Sequence, residues 1–350
     1  MRWVPLMKCP PVLRRLGTRR SVAAPPPEWK DRGDCAERGR FVGSAEHADV
    51  ATVVVTYNSA RDIPLLIDSL RVAAHDRSIR LVVVDNQSSD ETVSFLRGQD
   101  DVILVESGAN IGYAGGINVG LRNIGSCEHV LFLNPDLELA ADTVARLVAI
   151  ADEPRLGAVV PLVLDGDGAI YPSLGREPSL LRGLGDAVFG GNICALLGLP
   201  AEIDYRKKSY LHSHDVDWAT GAALLVPAAV ARQVGNWNEA FYLYSEEVDY
   251  FRQIRTSGRR IRFEPSAVVK HRAGGSGRSP DLAALQAVSR IRYIETYHGS
   301  AYSRVFRAVV ALRHALRSYD PVHRHILCFV LRRKRWRELP HHPHNERLPC

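Results

Sequence analysis

Four short apolar runs alternate with helical patterns in the first half of this chain, and this alternation constrains the fold most strongly. The apolar runs are rich in β-branched residues and lie at 52–58, 79–85, 102–106 and 130–133. Helical patterns occupy the intervals at 62–72, up to 95 and up to 123. Strands and helices that alternate at this spacing predict βαβ units, and therefore a parallel sheet with right-handed crossovers.

Two of the predicted strands lead into a carboxylate. Asp85 ends the second strand, and Asp136 follows the fourth strand after Pro135, which cannot donate to a sheet ladder. The carboxyl ends of parallel strands meet at one edge of the sheet, where open α/β sheets bind ligands. Asp136 could instead cap a helix that begins near Ala141, but a second carboxylate at the same edge favours a ligand site.

No glycine loop is expected to hold the ligand at this edge. The first strand is followed by Asn58 and no nearby glycine, and 108–116 contains no GxG, so the Rossmann dinucleotide motif is missing. The sequence also lacks the GxxxxGK[ST] motif of P-loop proteins. Carboxylates repel phosphates unless a cation bridges them, so the pattern predicts a diphosphate held through Mg²⁺ or Mn²⁺ on Asp136.

An acidic cluster and a histidine supply further chemistry in the second half of the chain. Glu246, Glu247 and Asp249 follow a potential N-cap serine in the first turn of a predicted helix. The helix dipole favours acids there, but three exceed the needs of a cap, and one could act as a general base. A predicted strand at 264–271 ends in His271, which is either structural or a metal ligand.

Basic charge is concentrated towards the two ends of the chain. Residues 1–32 carry eight lysines and arginines against two acids, and 304–337 carry ten against Asp320. Basic ends on an acidic body indicate an anionic partner surface, or else a solvated tail that aids solubility. No nucleic-acid-binding module is recognisable, so nucleic acid is not an expected partner.

The predicted helix within the C-terminal basic region leaves two alternatives open. Its apolar stripe consists of Val305, Val309, Leu312 and Leu316, with arginines beside it. This pattern fits a helix on an anionic membrane surface, or a helix packed on the domain with its arginines exposed.

The sequence predicts a cytoplasmic protein, or one attached peripherally to the inner face of the cell membrane. No run of 18 apolar residues is present, and arginines interrupt the N-terminal region where a secretory signal needs an apolar stretch. The six cysteines are scattered without a CxxC pair, which suits a reducing compartment.

Taken together, these motifs resemble glycosyltransferase family 2 over roughly 52–299. In order they are Thr56-Tyr-Asn58, Asp85-Asn86, Asn110-Ile-Gly-Tyr-Ala-Gly-Gly-Ile-Asn118, Asn134-Pro-Asp136, Ala219-Thr-Gly-Ala, Glu246-Glu-Val-Asp249 and His271. The resemblance implies an α/β protein of GT-A fold, with a Rossmann-like, mixed and mainly parallel sheet flanked by helices. It also implies inverting transfer from a nucleoside-diphosphate sugar.

The resemblance assigns roles to individual residues. Glu247 takes the position of the catalytic base, and Glu246 or Asp249 would position the acceptor. Asp136 stands where the family has its D-x-D motif and, with His271, would hold Mg²⁺ or Mn²⁺. The implied nucleotide-sugar residues are Thr56, Tyr57, Asn58, Asp85, Asn86, Asn110, Gly112, Asn118, Asn134 and Asp136.

The chain departs from the family pattern at two positions. Asn134 replaces the first acid of D-x-D, so fewer protein charges would hold the cation. The usual Glu-Asp is Glu246-Glu247 here, which leaves the choice of base between two glutamates open.

A narrower likeness, at 165–173, 178–183, 277–280 and in the basic tail, is to rhamnosyltransferases that act on prenyl-diphospho-N-acetylglucosamine. It implies transfer of rhamnose from dTDP-rhamnose to a hydroxyl of a lipid-linked acceptor or another cell-envelope glycan. The alternatives are a nucleotidyltransferase of related fold, and an inactive member that binds carbohydrate or membrane.

The expected organisation has four parts. They are a disordered basic segment at 1–47, a GT-A domain at 48–275, a basic helical extension at 276–338 and a tail at 339–350. Within the GT-A domain, 48–140 would bind the nucleotide sugar and 141–275 the acceptor.

Overall fold

Residues 41–74, 77–272 and 279–341 are described by the computed structural model. The strands are β1 (Ala48–Thr56), β2 (Ile79–Asp85), β3 (Val102–Glu106), β4 (Cys127–Leu133), β5 (Leu137–Leu139), β6 (Leu156–Leu164), β7 (Leu174–Gly175), β8 (His214–Val216), β9 (Trp218–Ala219), β10 (Ala223–Pro227) and β11 (Arg260–His271). The helices are α1 (Ile63–Ala74), α2 (Thr92–Arg97), α3 (Gly112–Leu121), α4 (Thr143–Ala151), α5 (Leu180–Val188), α6 (Gly191–Leu197), α7 (Ala228–Val234), α8 (Glu246–Thr256), α9 (Pro280–Tyr297), α10 (Ser300–Ala315) and α11 (Pro321–Leu331). Short 3₁₀ helices lie at Lys207–Leu211 and Arg333–Glu338.

The central sheet is mixed and mainly parallel, as the sequence predicts. Its strand order within the described residues is β3-β2-β1-β4-β10-β6-β11-β5, and β8 pairs with the other end of β11. Strands β1 to β4, β6 and β11 run in one direction, whereas β10, β5 and β8 run in the opposite one. A separate two-stranded ribbon joins β7 to β9.

Helices cover both faces of the sheet, which explains why the central strands are apolar without alternation. Strands β1, β2 and β4 are buried along almost their whole lengths. Neighbouring residues Val53 and Val54 of β1 contribute to two different hydrophobic clusters. One cluster packs α1 and α4 against the sheet, and the other packs α3, α7, α8 and the three C-terminal helices.

Strand register brings the predicted ligand residues to one edge of the sheet. Thr56 is the register partner of Asp85, so β1 and β2 end side by side. Leu133, the last residue of β4, is the partner of Val54 on the other side of β1. Asn134 therefore begins the loop at the edge where β1 and β2 also end.

The folded chain extends N-terminal to β1. Phe41 is buried, and the amide of Val42 donates to the carbonyl of Ile79 at 2.8 Å. The guanidinium of Arg71 lies over the Phe41 ring. Of the segment 1–47 that was predicted to be disordered, residues 1–40 lie outside the described part of the chain.

The C-terminal extension is helical, as predicted, but α10 packs through a different face than its apolar stripe suggested. Phe306, Val310 and His314 are buried, whereas Val305 and Leu316 are exposed. Arg307 of α10 donates to the carbonyls of Val330 and Leu331, and Arg317, two residues beyond the helix, donates to that of Ala187. Helix α10 is therefore packed on the domain, but through another face than the predicted stripe and with these two arginines bonded to backbone carbonyls.

Within the described ranges, no single helix has the length and hydropathy needed to cross a membrane. Helices α5 and α6 meet that criterion only as a pair, and the pair is bent by 104° at its short break.

Candidate active site

Asp136 lies between two strands and not at the start of a helix. Strand β5 begins at the next residue, and α4 begins only at Thr143, with Asp142 in the N-cap position. The alternative that Asp136 caps a helix is therefore wrong. The amide of Asn134 donates to the carbonyl of Ala222 at 2.8 Å, which ties the Asn134–Asp136 turn to the start of β10.

Asp136 and His271 meet because β5 pairs with the end of β11. His271 is the register partner of Leu137, the residue after Asp136. His271 Nε2 lies 3.0 Å from Asp136 Oδ1, and the Asp136 side chain is almost fully buried. The other ring nitrogen of His271, Nδ1, is buried and has no hydrogen-bond partner among the described residues. Strand pairing thus brings together two predicted metal ligands that are far apart in sequence.

The Asp136–His271 pair fits a divalent cation that takes further ligands from a substrate. A carboxylate oxygen and an imidazole nitrogen are both accepted by Mn²⁺, and Mg²⁺ prefers the oxygen. No group of three potential ligand side chains occurs in the part of the chain that the structure describes. The remaining positions would be filled by diphosphate oxygens and water, which is the common arrangement for Mg²⁺ in phosphate sites.

Asp62, near the start of α1, is a site residue that the sequence did not identify. Burial and the nearby Asp136 charge raise the pKa of its carboxyl group, and Arg61, Arg272 and His271 oppose that shift. A second carboxylate therefore lies close to Asp136 although Asn134 replaces the acid in the motif. An acid at the start of a helix is common, so the sequence offered no signal that would have distinguished Asp62.

Glu246 and Glu247 form a buried acidic pair at the start of α8. The two preceding residues, Tyr244 and Ser245, have positive φ values of 67° and 70°. Positive φ is uncommon for residues other than glycine, and such strained residues cluster at functional sites. Ser245 occupies the N-cap position, but its side chain makes no capping hydrogen bond. The Oε2 atoms of both glutamates are buried and lack a hydrogen-bond partner within the described residues. The segment thus aims two unpaired carboxyl oxygens inwards.

The two glutamates differ in how readily they ionise. Burial raises the pKa of Glu247 to about 7. Burial and the charge of Glu247 raise the pKa of Glu246 well above its ordinary value. Glu246 is also the more deeply buried of the two, so it is expected to keep its proton to the higher pH. Near neutral pH, Glu247 is the carboxylate that can accept a proton.

Asp249 is engaged within the protein. The Tyr297 hydroxyl donates to Asp249 Oδ1 at 2.5 Å, and the Gln253 amide donates to Oδ2 at 2.6 Å. Its side chain is fully buried. The Tyr297 contact anchors α8 to α9 and so helps to hold the glutamate pair in place, whereas the Gln253 contact lies within α8. The predicted contact of Asp249 with an acceptor stays a prediction.

Tyr113 connects the Asp136 side of the site with the glutamate pair. Its hydroxyl lies 3.4 Å from the carbonyl of Gly221. Burial and the charges of Glu246, Glu247 and Asp136 all raise the pKa of the phenol. A Cβ atom on Gly221 would lie 3.3 Å from the Cβ of Glu247, so this loop faces Glu247. Tyr113 and Gly221 lie in motifs that carry the family resemblance, but their residue types did not mark them as site residues.

The nucleotide-side residues also converge. Thr56 Oγ1 donates to Asp85 Oδ1 at 3.0 Å, and the Ser88 amide donates to Oδ2 at 2.8 Å. Asn58 has a φ of 53° and accepts from the Ser89 amide through Oδ1 at 2.8 Å. Tyr57 between them is half exposed, so its ring is free to meet a planar ligand.

A second set of contacts fixes the loop before α3. Asn86 Nδ2 donates to the carbonyl of Gly112 at 2.8 Å, and Asn110 Oδ1 accepts from the Gly112 amide at 3.2 Å. Gly112 has a φ of 78°, and a Cβ there would lie 2.3 Å from the Tyr242 carbonyl oxygen. Only glycine fits this position.

Asn118, by contrast, points towards a different part of the fold. Its Nδ2 donates to the Trp237 carbonyl and to Glu239, and its Oδ1 accepts from the Trp237 amide. These contacts tie α3 to the segment before α8, and the predicted contact of Asn118 with the nucleotide sugar stays a prediction.

The chain is similar to known proteins in sequence and in fold. The family model described as Glycosyl transferase family 2 matches residues 52–186. The chain is 32% identical over 307 residues to an N-acetylglucosaminyl-diphospho-decaprenol L-rhamnosyltransferase of Mycobacterium tuberculosis, which covers 83% of this chain and 97% of that one. It is 30% identical over 211 residues to the low-salt glycan biosynthesis hexosyltransferase Agl10 of Haloferax volcanii, over 59% of this chain and 62% of that one.

Among solved structures, GalNAc-T7 with UDP, GalNAc and Mn²⁺ is similar, with a TM-score of 0.54 and 14% identity. The match covers 85% of this chain and 58% of that one. This likeness confirms the predicted GT-A fold.

Proposed function

Because the chain belongs to glycosyl transferase family 2 and is a glycosyltransferase, we propose that it moves a hexose from a nucleoside-diphosphate sugar to a hydroxyl of a lipid-linked acceptor, with inversion. The observation that carries this proposal is the loop at Gly221 and Ala222, which contacts both sides of the site. The Ala222 carbonyl accepts from the Asn134 amide at 2.8 Å, and a Cβ on Gly221 would lie 3.3 Å from the Cβ of Glu247. This arrangement supports a diphosphate anchor at Asp136 and a base at Glu247 within one crevice.

The proton-accepting group of the reaction is Glu247 in this proposal. An acceptor hydroxyl that reaches its unpaired Oε2 would lose its proton to the carboxylate as the oxygen attacks the anomeric carbon. The leaving diphosphate departs from the opposite face, so the configuration at that carbon inverts. Asp249, through Tyr297, holds α8 so that the carboxylate stays in position.

Asp136 and His271 would hold Mg²⁺ or Mn²⁺ on the donor side of the crevice. When bound, a divalent cation there neutralises negative charge that develops on the leaving diphosphate. Thr56, Asp85 and the neighbouring loop would hold the nucleoside, with Tyr57 against the base. The Mn²⁺ in the similar GalNAc-T7 structure supports a divalent cation in this fold.

The mycobacterial relative supports a finer assignment, with rhamnose as the transferred sugar and a prenyl-diphospho-N-acetylglucosamine as the acceptor. The proposed donor, dTDP-rhamnose, follows from the resemblance of the sequence motifs. An acceptor of this kind lies in a membrane, which agrees with peripheral attachment to its cytoplasmic face. The family match favours sugar transfer over the nucleotidyltransferase alternative.

We expect dTDP-rhamnose with Mn²⁺ to raise the melting temperature of the protein more than UDP-, GDP- or other dTDP-sugars do. A ligand at 100 times its Kd stabilises the native state by about 2.7 kcal/mol, so a specific donor will stand out in a thermal-shift screen. If another nucleotide sugar stabilises the protein most, the donor assignment is wrong but the proposed glycosyltransferase activity still stands. Stabilisation by none of them would contradict donor binding at this crevice.

We also expect kcat/KM for transfer to fall about tenfold per pH unit below a pKa near 7. The sign follows from the raised pKa, because the Glu247 carboxyl is a base only when ionised, and burial delays that ionisation. The rate should level off roughly one unit above the pKa. A profile that stays flat down to the ordinary pKa of a glutamate would contradict this role. Circular dichroism at each pH controls for unfolding.

A further inference from the structure

Helix α5 exposes most of its large apolar residues, all but the partly buried Leu180, and buries smaller ones. Leu181, Leu184 and Val188 are exposed, and Leu181 is 65% accessible. The inner face consists of Gly183, Asp186 and Ala187, and a Cβ on Gly183 would lie 3.3 Å from the Phe306 ring of α10. This pattern is the reverse of an ordinary amphipathic helix, whose apolar stripe faces the core.

Helix α6 continues the same exposed surface. Ile193, Leu196 and Leu197 are exposed, and Leu196 and Leu197 are 82% and 60% accessible. We define the apolar face as Leu181, Leu184, Val188, Ile193, Leu196 and Leu197. Helix α10 borders it, because Arg317 donates to the carbonyl of Ala187 at 2.7 Å and so brings the exposed Leu316 beside the turn between α5 and α6.

The charges around the apolar face are basic. The acids between residues 180 and 211 are Asp186, Glu202 and Asp204, and all three are buried. Asp204 pairs with Arg206, while Arg290 contacts both Asp186 and Glu202. The cations there are more accessible: Arg206, Lys207 and Lys208 are exposed, and Arg182 is half-buried.

A cleft beside α6 adds to this basic rim. It has a volume of about 290 Å³, and its walls include Arg176, Arg182, Arg206 and Leu199. Cations and apolar groups therefore alternate over a short distance, as they do in segments that lie at a lipid headgroup boundary.

We propose that the apolar face and its basic rim dock on an anionic phospholipid bilayer, with the leucines of α5 and α6 inserted among the headgroups. Exposed leucines gain free energy by leaving water, and each nearby lysine or arginine is attracted to anionic lipid. A second copy of the chain is a poorer occupant, because two such faces would bring like charges together. The 104° bend between α5 and α6 suits a surface element that lies in the interface.

This docking would also place the membrane next to the crevice. β7 ends five residues before α5 begins, and its partner β9 leads directly to Gly221, which faces Glu247. A lipid-linked hydroxyl would then approach the base from the bilayer side. This consequence rests on the proposed function, whereas the docking itself does not.

The test measures binding of the full-length protein to sucrose-loaded vesicles by sedimentation, without any turnover. Wild type is expected to bind vesicles of phosphatidylglycerol and phosphatidylcholine. Leu196→Ser/Leu197→Ser should lower the partition coefficient on the order of tenfold or more, because two inserted side chains are lost. Val72→Ser, which changes an exposed apolar residue on α1, is the matched control and should bind like wild type.

A second variant tests the basic rim. Lys207→Ala/Lys208→Ala should weaken binding to the anionic vesicles about fivefold per charge, and should not change binding to pure phosphatidylcholine. Unchanged donor-induced thermal shifts in both double variants would show that the fold and the nucleotide site are intact.

Three results would overturn the proposal. They are failure of wild type to bind anionic vesicles, equal binding of wild type and the Leu196→Ser/Leu197→Ser variant, and a wild-type dimer that this variant dissociates while neither protein binds vesicles. The last result would assign the apolar face to an interface between copies of the chain. Loss of transfer activity with vesicle binding intact would count against the proposed function alone.

Discussion

Replacing Glu247 by glutamine is expected to lower kcat by a factor on the order of 10² to 10⁴, the usual cost of losing a general base. Glutamine keeps the shape of the side chain but cannot accept the acceptor proton. Donor binding should change little, because the carboxylate acts on the acceptor and not on the diphosphate. The measurement is steady-state transfer together with donor affinity from calorimetry.

Glu246→Gln is the matched control for this prediction. Glu246 is more deeply buried and its pKa is raised further, so near neutral pH it already resembles a neutral amide. We expect its turnover to stay within about tenfold of wild type. If Glu246→Gln lowers turnover more than Glu247→Gln does, Glu246 is the base. If turnover is near normal in both variants, neither glutamate is the general base.

Asp136→Asn is expected to lower kcat on the order of 10² to 10³-fold, comparable to the loss of one charge-stabilising group in other enzymes. The variant removes the carboxylate that meets His271 Nε2 at 3.0 Å, and with it the anchor proposed for the cation. Mn²⁺ should then no longer strengthen binding of the nucleoside diphosphate. Calorimetric titration with and without Mn²⁺ measures this coupling directly.

Asp62→Asn provides the comparison for the metal site. This carboxyl group lies close enough for the Asp136 charge to raise its pKa. We expect a loss within about tenfold and retained coupling to Mn²⁺, since the Asp136–His271 pair remains. Wild-type transfer that continues undiminished in excess EDTA would contradict the cation role of Asp136.

Much of the nucleotide half could be predicted from local sequence. Apolar runs that end in Asp85 and before Asn134 imply parallel strands whose ends share one edge, because a parallel sheet aligns those ends. The register of Thr56 with Asp85 confirms this expectation.

The sequence by itself determined the alternation of strands and helices, the edge at which the acids gather and the family of the chain. It could not decide which acids face the crevice, because burial and pairing depend on segments that are distant in sequence. Tertiary structure joined Asp136 to His271 through β5 and β11, and tied Asp249 to Tyr297. It also turned Leu181 and Leu184 of α5 outwards, since α10 takes the face that carries the small residues. A periodic pattern shows that a helix has two faces, but only the packed neighbours decide which face meets water.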